Sequence, residues 1–133
     1  MTEPTPASNQ RKVRVLIADD HAVVRQGLRM LLESMPDLEV VGEAETGQQA
    51  VDRTRELHPD IVIMDVSMPG MDGIEATRRI TQEHTCGDIV ALSMHQSDEM
   101  AQKMRQAGAR TYLTKDKAIQ QLTNAMRAFS RSA

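Results

Sequence analysis

The chain has 133 residues, a length that fits one folded domain. Its formal net charge of −3 excludes a bulk positive surface for nucleic acid or an anionic membrane. A single cysteine, Cys86, excludes an intramolecular disulfide, and no apolar run reaches the roughly 18 residues of a membrane span. We expect a soluble, cytoplasmic protein with a disordered tail over residues 1–10 and one domain over residues 11–131.

Apolar and amphipathic segments alternate from residue 12 onward. Predicted strands cover residues 12–18, 38–43, 61–64, 88–92 and 110–114. Predicted helices begin near His21, Thr46, Asp72 and Ser97, and a fifth helix follows Lys115. Five strand-helix pairs with short links predict an α/β fold, in which a parallel sheet is covered by helices on both faces.

The spacing of apolar residues assigns the buried face of each helix. The third and fourth helices carry few apolar positions, so their inner faces are the least distinct. The first and last helices have clear stripes, which consist of Val24, Leu28, Leu31 and Met35, and of Ile119, Leu122, Met126 and Phe129.

The third strand is the most informative stretch of the sequence. Residues 60–73 read D-I-V-I-M-D-V-S-M-P-G-M-D-G, so four apolar residues run directly into Asp65. Such a run is typical of a strand that is buried on both faces. Asp65 would then lie at the carboxyl edge of the sheet, where ligands bind in open α/β folds. We predict that Asp65 accepts a phosphoryl group.

Polar side chains follow the other strands at the same edge. Asp19 and Asp20 follow the first strand, Ser93 the fourth and Lys115 the fifth. Carboxylates brought together need a cation, and oxygen ligands without an expected histidine or cysteine indicate Mg²⁺. Lys115 offers a positive charge and Ser93 a hydroxyl donor for phosphoryl oxygens.

Each of these residues has an ordinary explanation when it is taken alone. A strand-end aspartate commonly caps a helix, and an acidic pair favours a helix N-terminus. A serine at a turn and an exposed lysine are equally common. Only their joint occurrence at four strand ends favours a phosphoryl-transfer site.

The motifs at these strand ends resemble the receiver domains of bacterial two-component response regulators. They read A-D-D-H at 18–21, D-V-S-M-P-G-M-D-G at 65–73, A-L-S at 91–93 and G-A-R-T-Y-L-T-K-D at 108–116. The segments D-D-H-A-V-V-R-Q-G-L, V-V-G-E-A and Y-L-T-K-D look most like the NarL/FixJ (LuxR-type) subfamily. The resemblance implies the flavodoxin-like, CheY-like (βα)5 fold, a three-layer sandwich with strand order 2-1-3-4-5.

The resemblance also implies roles for individual residues. Asp65 would take the phosphoryl group from a phosphohistidine of a sensor histidine kinase. Asp19, Asp20, Asp65 and the backbone carbonyl of Ser67 would hold Mg²⁺, and Lys115 would pair with Asp65 and then with the phosphoryl group. The domain would assist its own phosphorylation and dephosphorylation without being an enzyme.

The resemblance implies that four positions control the conformational switch and the lifetime of the phosphoryl group. Ser93 would move to the phosphoryl oxygens and Tyr112 would turn inward, changing the face of the fourth helix, fifth strand and fifth helix. That face is expected to bind a partner or to form a homodimer. Ser67 and His95 would tune the phosphoryl lifetime, whereas His21 is interpreted as a helix-start residue and not as a ligand.

Two features differ from many receivers. Asp116 follows Lys115 where proline is frequent, and Ser93 stands where threonine is frequent, which keeps the hydroxyl. Members of the NarL/FixJ subfamily usually continue into a helix-turn-helix domain. The chain is therefore expected to be a fragment of a transcription factor that contacts DNA only through that domain, or else a stand-alone receiver.

Other functions are weaker alternatives. An aspartate-nucleophile phosphatase would carry a second aspartate two residues after Asp65, where this chain has Ser67. A receiver-like interaction module that no longer reacts would not need Asp19, Asp20, Ser93 and Lys115 together with Asp65. Flavin binding would need a phosphate-cradling loop after the first strand, where the acidic pair would repel the ligand.

Overall fold

A five-stranded parallel sheet organises the chain. The computed structural model describes residues 12–68, 70–94, 97–117, 120, 121 and 124. The sheet has the order β2-β1-β3-β4-β5 and consists of β1 (Val13–Ala18), β2 (Leu38–Ala44), β3 (Ile61–Asp65), β4 (Asp88–Ser93) and β5 (Thr111–Thr114). The described helices are α1 (Ala22–Glu33), α2 (Gly47–Leu57), α3 (Gly73–Glu83) and α4 (Asp98–Ala107). The predicted α/β class and strand order are confirmed.

Some of the sequence predictions fall outside the described residues. These are the N-terminal tail, His95, and the stripe Ile119, Leu122, Met126 and Phe129 of the fifth helix. Within that predicted helix, Gln120, Gln121 and Asn124 have helical conformation.

The third strand is buried on both faces, as its unbroken apolar run predicts. Ile61 and Ile63 belong to the core that packs against α1, while Val62 and Met64 belong to the core beneath α2, α3 and α4. Because successive strand residues point to opposite faces, only a continuous apolar run can fill both cores. The strand therefore brings Asp65 to the carboxyl edge of the sheet with apolar side chains packed on both of its faces.

The buried stripe of α1 differs slightly from its prediction. Leu28 and Leu32 are its buried residues, whereas Val24, Leu31 and Met35 are only partly buried against the same core. The prediction included Leu31 and omitted Leu32. Both lie within the broad apolar arc of a helix that packs on a sheet, so spacing alone does not separate them.

The helix ends carry the expected local signals. The side chains of Thr46, Asp72 and Ser97 each accept a hydrogen bond from a backbone N–H in the first turn of α2, α3 and α4. Gly108 ends α4 with φ of 126°, a value that side chains disfavour. Among the helices described, none has the length and apolarity required to cross a bilayer.

Candidate functional site

The carboxyl edge of the sheet gathers the predicted site residues. Asp65 is the last residue of β3 and pairs with Leu92, and Ser93 ends β4 and pairs with Thr114 of β5. The backbone N–H of Lys115 donates to the carbonyl oxygen of Ser93 at 2.7 Å. The ladder thus continues one residue beyond β5 and fixes where the Lys115 side chain starts.

The turn after β3 packs tightly against Asp65. The N–H of Gly73 donates to the carbonyl of Val66 at 2.8 Å, which returns the chain to the strand end as α3 begins. A Cβ atom at Gly73 would lie 2.0 Å from the carbonyl oxygen of Asp65, so this position requires glycine. The side-chain Oδ1 of Asp65 accepts from the N–H of Ser67 at 3.2 Å.

Lys115 lies between two buried carboxylates. Its Nζ atom is 2.9 Å from Asp19 Oδ2 and 3.2 Å from Asp65 Oδ2. All three side chains are almost fully buried, with exposed fractions of 7% for Lys115, 0% for Asp19 and 2% for Asp65. One ammonium group therefore faces two carboxylates in a region with little water.

The acidity of Asp65 is shifted by this environment. Burial disfavours the charged carboxylate, and the nearby charge of Asp19 adds to that effect, while Lys115 and the N–H of Ser67 act in the opposite direction. The balance raises the pKa of Asp65 from 3.8 to about 6. A raised pKa at a crowded strand end is typical of functional sites.

The same carboxylates are suited to hold a divalent cation. Ligand atoms of Asp19, Asp20, His21 and Asp65 all lie within 4.8 Å of one another. Within the described part of the chain, Asp19 Oδ2 and Asp65 Oδ2 are buried and have no hydrogen-bond partner, although both face the Lys115 ammonium group. Oxygen ligands that lack hydrogen bonds and carry excess negative charge fit a hard divalent ion.

The structure corrects one premise of the sequence analysis, that no histidine lies beside these carboxylates. His21 does begin α1 as predicted, at its N-cap position. However, its side chain makes no capping hydrogen bond, and Nδ1 lies 2.9 Å from Asp19 Oδ1 and 3.1 Å from Asp20 Oδ1. The direction of this ring depends on three-dimensional packing and could not be derived from spacing.

Sequence reasoning also missed an arginine that supports the site. Arg25 Nη1 donates to the backbone carbonyl of Asp19 at 2.7 Å, and its Nε donates to Glu43 Oε1 at 2.9 Å. Arg29 Nη1 contacts the second oxygen of the same glutamate at 2.6 Å. This ion-pair network joins α1 to β2 and holds the Asp19 backbone. The sequence indicates this role only by placing Arg25 in the first turn of the helix that follows Asp19 and Asp20.

Three further predicted residues, Ser67, Ser93 and Tyr112, are described by the structure and lie outside the carboxylate cluster. Ser93 is buried at the end of β4, and Ser67 is exposed in the turn after β3. Tyr112 is partly buried in β5 and packs against the core beneath α2, α3 and α4.

Comparison with protein families matches residues 15–127 to the response regulator receiver domain. Among similar curated proteins, the response regulator GacA of Pseudomonas viridiflava is 40% identical over 86% of this chain and 54% of that protein. The transcriptional regulatory protein LiaR of Bacillus subtilis is 43% identical over 90% of this chain and 56% of that protein. Response regulator UvrY of Escherichia coli is 42% identical over 87% of this chain and 53% of that protein. The chain thus spans about half the length of the curated relatives it matches.

Solved structures agree with the family match. The signal receiver domain of NarL from Mycobacterium tuberculosis superposes with a TM-score of 0.85 at 28% identity and covers 92% of this chain and 99% of that chain. A LuxR-family two-component response regulator from Aurantimonas gives a TM-score of 0.83 at 38% identity over 91% of this chain and 86% of that chain. The chain is therefore a response regulator receiver domain, similar to those of the NarL, GacA and UvrY regulators.

Proposed function

We propose that Asp65 accepts a phosphoryl group from a phosphohistidine of a sensor histidine kinase. The single observation that carries this proposal is the placement of a buried, partly desolvated Asp65 carboxylate between the Lys115 ammonium group and the Ser67 N–H. Phosphoryl transfer requires positioning and charge neutralisation above all, and both are supplied here.

The transfer is a displacement at phosphorus. A carboxylate oxygen of Asp65 forms a bond to phosphorus, and the bond between phosphorus and the kinase imidazole breaks. The electron pair returns to the imidazole nitrogen, which takes up a proton. The product is an acyl phosphate on Asp65. Lys115 would contact its oxygens, and the hydroxyl of Ser93 would move toward them.

The divalent ion would be held by Asp19, Asp20 and Asp65, with the backbone carbonyl of Ser67 as a further ligand. The donor atoms within 4.8 Å and the two buried oxygens without hydrogen-bond partners in the described chain support that assignment. A bound ion supplies positive charge that offsets the charge of the phosphoryl oxygens. Arg25 acts on the same site indirectly, by holding the Asp19 backbone.

Output is proposed to pass through Ser93 and Tyr112 to the face formed by α4, β5 and the predicted fifth helix. Ser93 ends the strand that pairs with β5, and Tyr112 lies opposite Ala91 in that pairing. A phosphoryl group that draws Ser93 toward Asp65 would change the packing next to Tyr112. That face would bind a partner or a second copy of the chain, and Ser67 and His95 would tune the phosphoryl lifetime.

In the whole protein we propose that residues 11–131 form the receiver and that the output is transcription, through a helix-turn-helix domain beyond residue 133. The greater length of the curated relatives supports this proposal, as does the similarity to LiaR, which is a transcriptional regulatory protein. DNA contact would belong to that domain, and the receiver would act in the cytoplasm beside its kinase.

The proposal is tested with Mg²⁺ and acetyl phosphate, or with beryllium fluoride as a phosphoryl mimic. We expect a base-labile adduct and shifts of the NMR signals of Ser93 and Tyr112 in the wild type. Asp65→Asn should abolish both responses, whereas Asp52→Asn, an exposed carboxylate on α2, should retain them. A wild type that neither forms the adduct nor shifts these signals would overturn the proposal.

A further inference from the structure

Thr114, the last residue of β5, has a buried hydroxyl that makes no hydrogen bond within the part of the chain that the structure describes. The residue is 6% exposed, so bulk water does not satisfy its Oγ1 atom. Buried polar groups are nearly always paired, and an unpaired one destabilises the conformation in which it occurs. A conformation in which Thr114 Oγ1 has a partner is therefore favoured over this one by the added hydrogen bond.

The hydroxyl of Ser93 lies next to Thr114 on the same face of the sheet. The two residues are register partners in the parallel β4–β5 pair, whose strands are about 4.8 Å apart. Because side chains alternate along a strand, Ser93 shares a face with Ala91, which belongs to the core beneath α2, α3 and α4. Thr114 likewise shares a face with Tyr112, which packs against that core. Both hydroxyls therefore start from neighbouring positions on one side of the sheet.

The backbone at both positions is held in place by hydrogen bonds. The N–H of Lys115 donates to the carbonyl of Ser93 at 2.7 Å, and the N–H of Lys117 donates to the carbonyl of Thr114 at 3.2 Å. A new partner for Thr114 Oγ1 therefore requires only side-chain rotation, with the strands in register. At the spacing of paired strands, staggered rotamers can bring two neighbouring hydroxyls within hydrogen-bond distance.

We infer that Thr114 is a positioning residue, which donates a hydrogen bond to Ser93 Oγ while Ser93 donates to the phosphoryl group on Asp65. A hydroxyl has one hydrogen and two acceptor lone pairs, so Ser93 can donate to a phosphoryl oxygen and accept from Thr114 at once. Thr114 then gains a partner, which stabilises the conformation in which Ser93 faces the phosphoryl group. The inference rests on the proposed function of Asp65 and adds one residue to its switch.

The affinity for beryllium fluoride in the presence of Mg²⁺, measured by NMR titration of the full chain, tests the inference. Thr114→Val keeps the shape of the side chain and removes the hydroxyl, whereas Thr114→Ser keeps the hydroxyl. Thr77→Val is the matched control, because Thr77 on α3 is fully buried and its Oγ1 also lacks a hydrogen-bond partner among the described residues. Ser93→Ala, alone and combined with Thr114→Val, tests whether Ser93 is the acceptor.

We expect Thr114→Val to weaken the affinity by about threefold to tenfold, the contribution of one hydrogen bond. Thr114→Ser and Thr77→Val should keep the affinity within about twofold of the wild type. In the Ser93→Ala protein, Thr114→Val should cause no further loss, because the acceptor is already absent. In urea unfolding without beryllium fluoride, Thr114→Val should be at least as stable as the wild type, since an unpaired hydroxyl contributes nothing there.

Wild-type affinity in Thr114→Val, or the same loss with and without Ser93→Ala, overturns the inference. Lower stability of Thr114→Val than of the wild type without beryllium fluoride also overturns it, because the hydroxyl would then have a partner before Ser93 moves. In each of these cases the wild type still binds beryllium fluoride, so the proposed function stands. A wild type that does not respond to beryllium fluoride overturns the proposed function and this inference with it.

Discussion

The Nζ atom of Lys115 lies 3.2 Å from Oδ2 of Asp65, although β4 separates the two strands that carry these residues. The contact is made possible by the N–H of Lys115, which donates to the carbonyl of Ser93 and places the side chain over the end of β4. From there the ammonium group also reaches Asp19 at 2.9 Å. Removing one cation would leave two buried carboxylates facing each other.

Replacing Lys115 tests this charge balance. We expect Lys115→Met to lower the free energy of unfolding of the metal-free protein by about 3–5 kcal/mol, because an uncompensated buried charge is costly. Added Mg²⁺ should recover part of that loss, since a cation again faces the carboxylates. Urea unfolding at neutral pH, with and without Mg²⁺, measures both effects.

Lys103→Met is the control for that experiment. Lys103 pairs with Glu99 on the surface of α4 at 3.3 Å, and exposed pairs contribute about 1 kcal/mol or less. Equal destabilisation by the two variants would show that the position of Lys115 between the carboxylates has no special energetic role.

The pKa of Asp65 should be measurable in the metal-free protein. The side-chain ¹³C signal of Asp65 is expected to titrate near pH 6, because burial and Asp19 both disfavour its charge. Asp19→Asn should lower this pKa by removing the repulsion, while Asp52→Asn should leave it unchanged. A midpoint near 4 in the wild type would contradict the described burial and charge arrangement.

The same shift predicts how stability changes with pH. The pKa of Asp65 is higher in the folded protein than its ordinary 3.8, so the folded state binds this proton more tightly than the unfolded chain. Its contribution to the free energy of unfolding is fully present below about pH 4 and is lost as the pH rises to about 6. The free energy of unfolding, measured with urea at several pH values in this range, should fall less steeply with pH in Asp65→Asn than in the wild type. Identical dependence on pH in the two proteins would contradict the assignment of the shift to Asp65.

Gly73→Ala should damage the turn that presents Asp65. The added methyl group would meet the Asp65 carbonyl oxygen at 2.0 Å, so the start of α3 or the end of β3 must move. We expect a loss of about 2 kcal/mol or more in thermal or urea unfolding. Gly27→Ala is the control, because nothing lies within 4 Å of its Cβ position in the exposed middle of α1. Alanine should raise stability there by about 0.5–1 kcal/mol, and a Gly73→Ala protein as stable as that control would exclude the close approach.

Arg25 should affect metal affinity without touching the metal. Its bond to the Asp19 carbonyl and its pair with Glu43 fix the strand end that carries two carboxylates. We expect Arg25→Met to weaken binding of Mg²⁺ by about tenfold, a common cost of losing an outer-shell partner. Calorimetry should show no such change in Mg²⁺ affinity for Arg53→Met, because Arg53 is an exposed arginine on α2. Equal Mg²⁺ affinities in the two variants would show that Arg25 does not support the site.

The fold was predictable where the sequence contains an unbroken apolar run, a periodic apolar pattern or a helix-capping residue. The apolar run before Asp65 predicts a doubly buried strand, and Thr46, Asp72 and Ser97 predict the starts of three helices, all of which the structure confirms. The buried face of α3 was harder to assign because Ala76 and Thr77, a small and a polar residue, fill it together with Ile80. Hydrophobic periodicity does not detect such a face.

The site was predictable only as far as strand ends determine it. Topology alone brings Asp19, Asp65 and Lys115 to one edge, because parallel strands end together. Topology does not determine that the ring of His21 turns toward the acidic pair. These contacts arise from side-chain rotamers and from packing between elements that are distant in sequence.

We propose that Asp65, and no other carboxylate of the cluster, carries the phosphoryl group. The most direct test of this proposal is to phosphorylate the protein with acetyl phosphate and Mg²⁺, reduce the acyl phosphate with borohydride, and locate the resulting homoserine by peptide mass spectrometry. We expect homoserine at position 65. Homoserine at position 19 or 20, or an unmodified position 65 in phosphorylated protein, would contradict it.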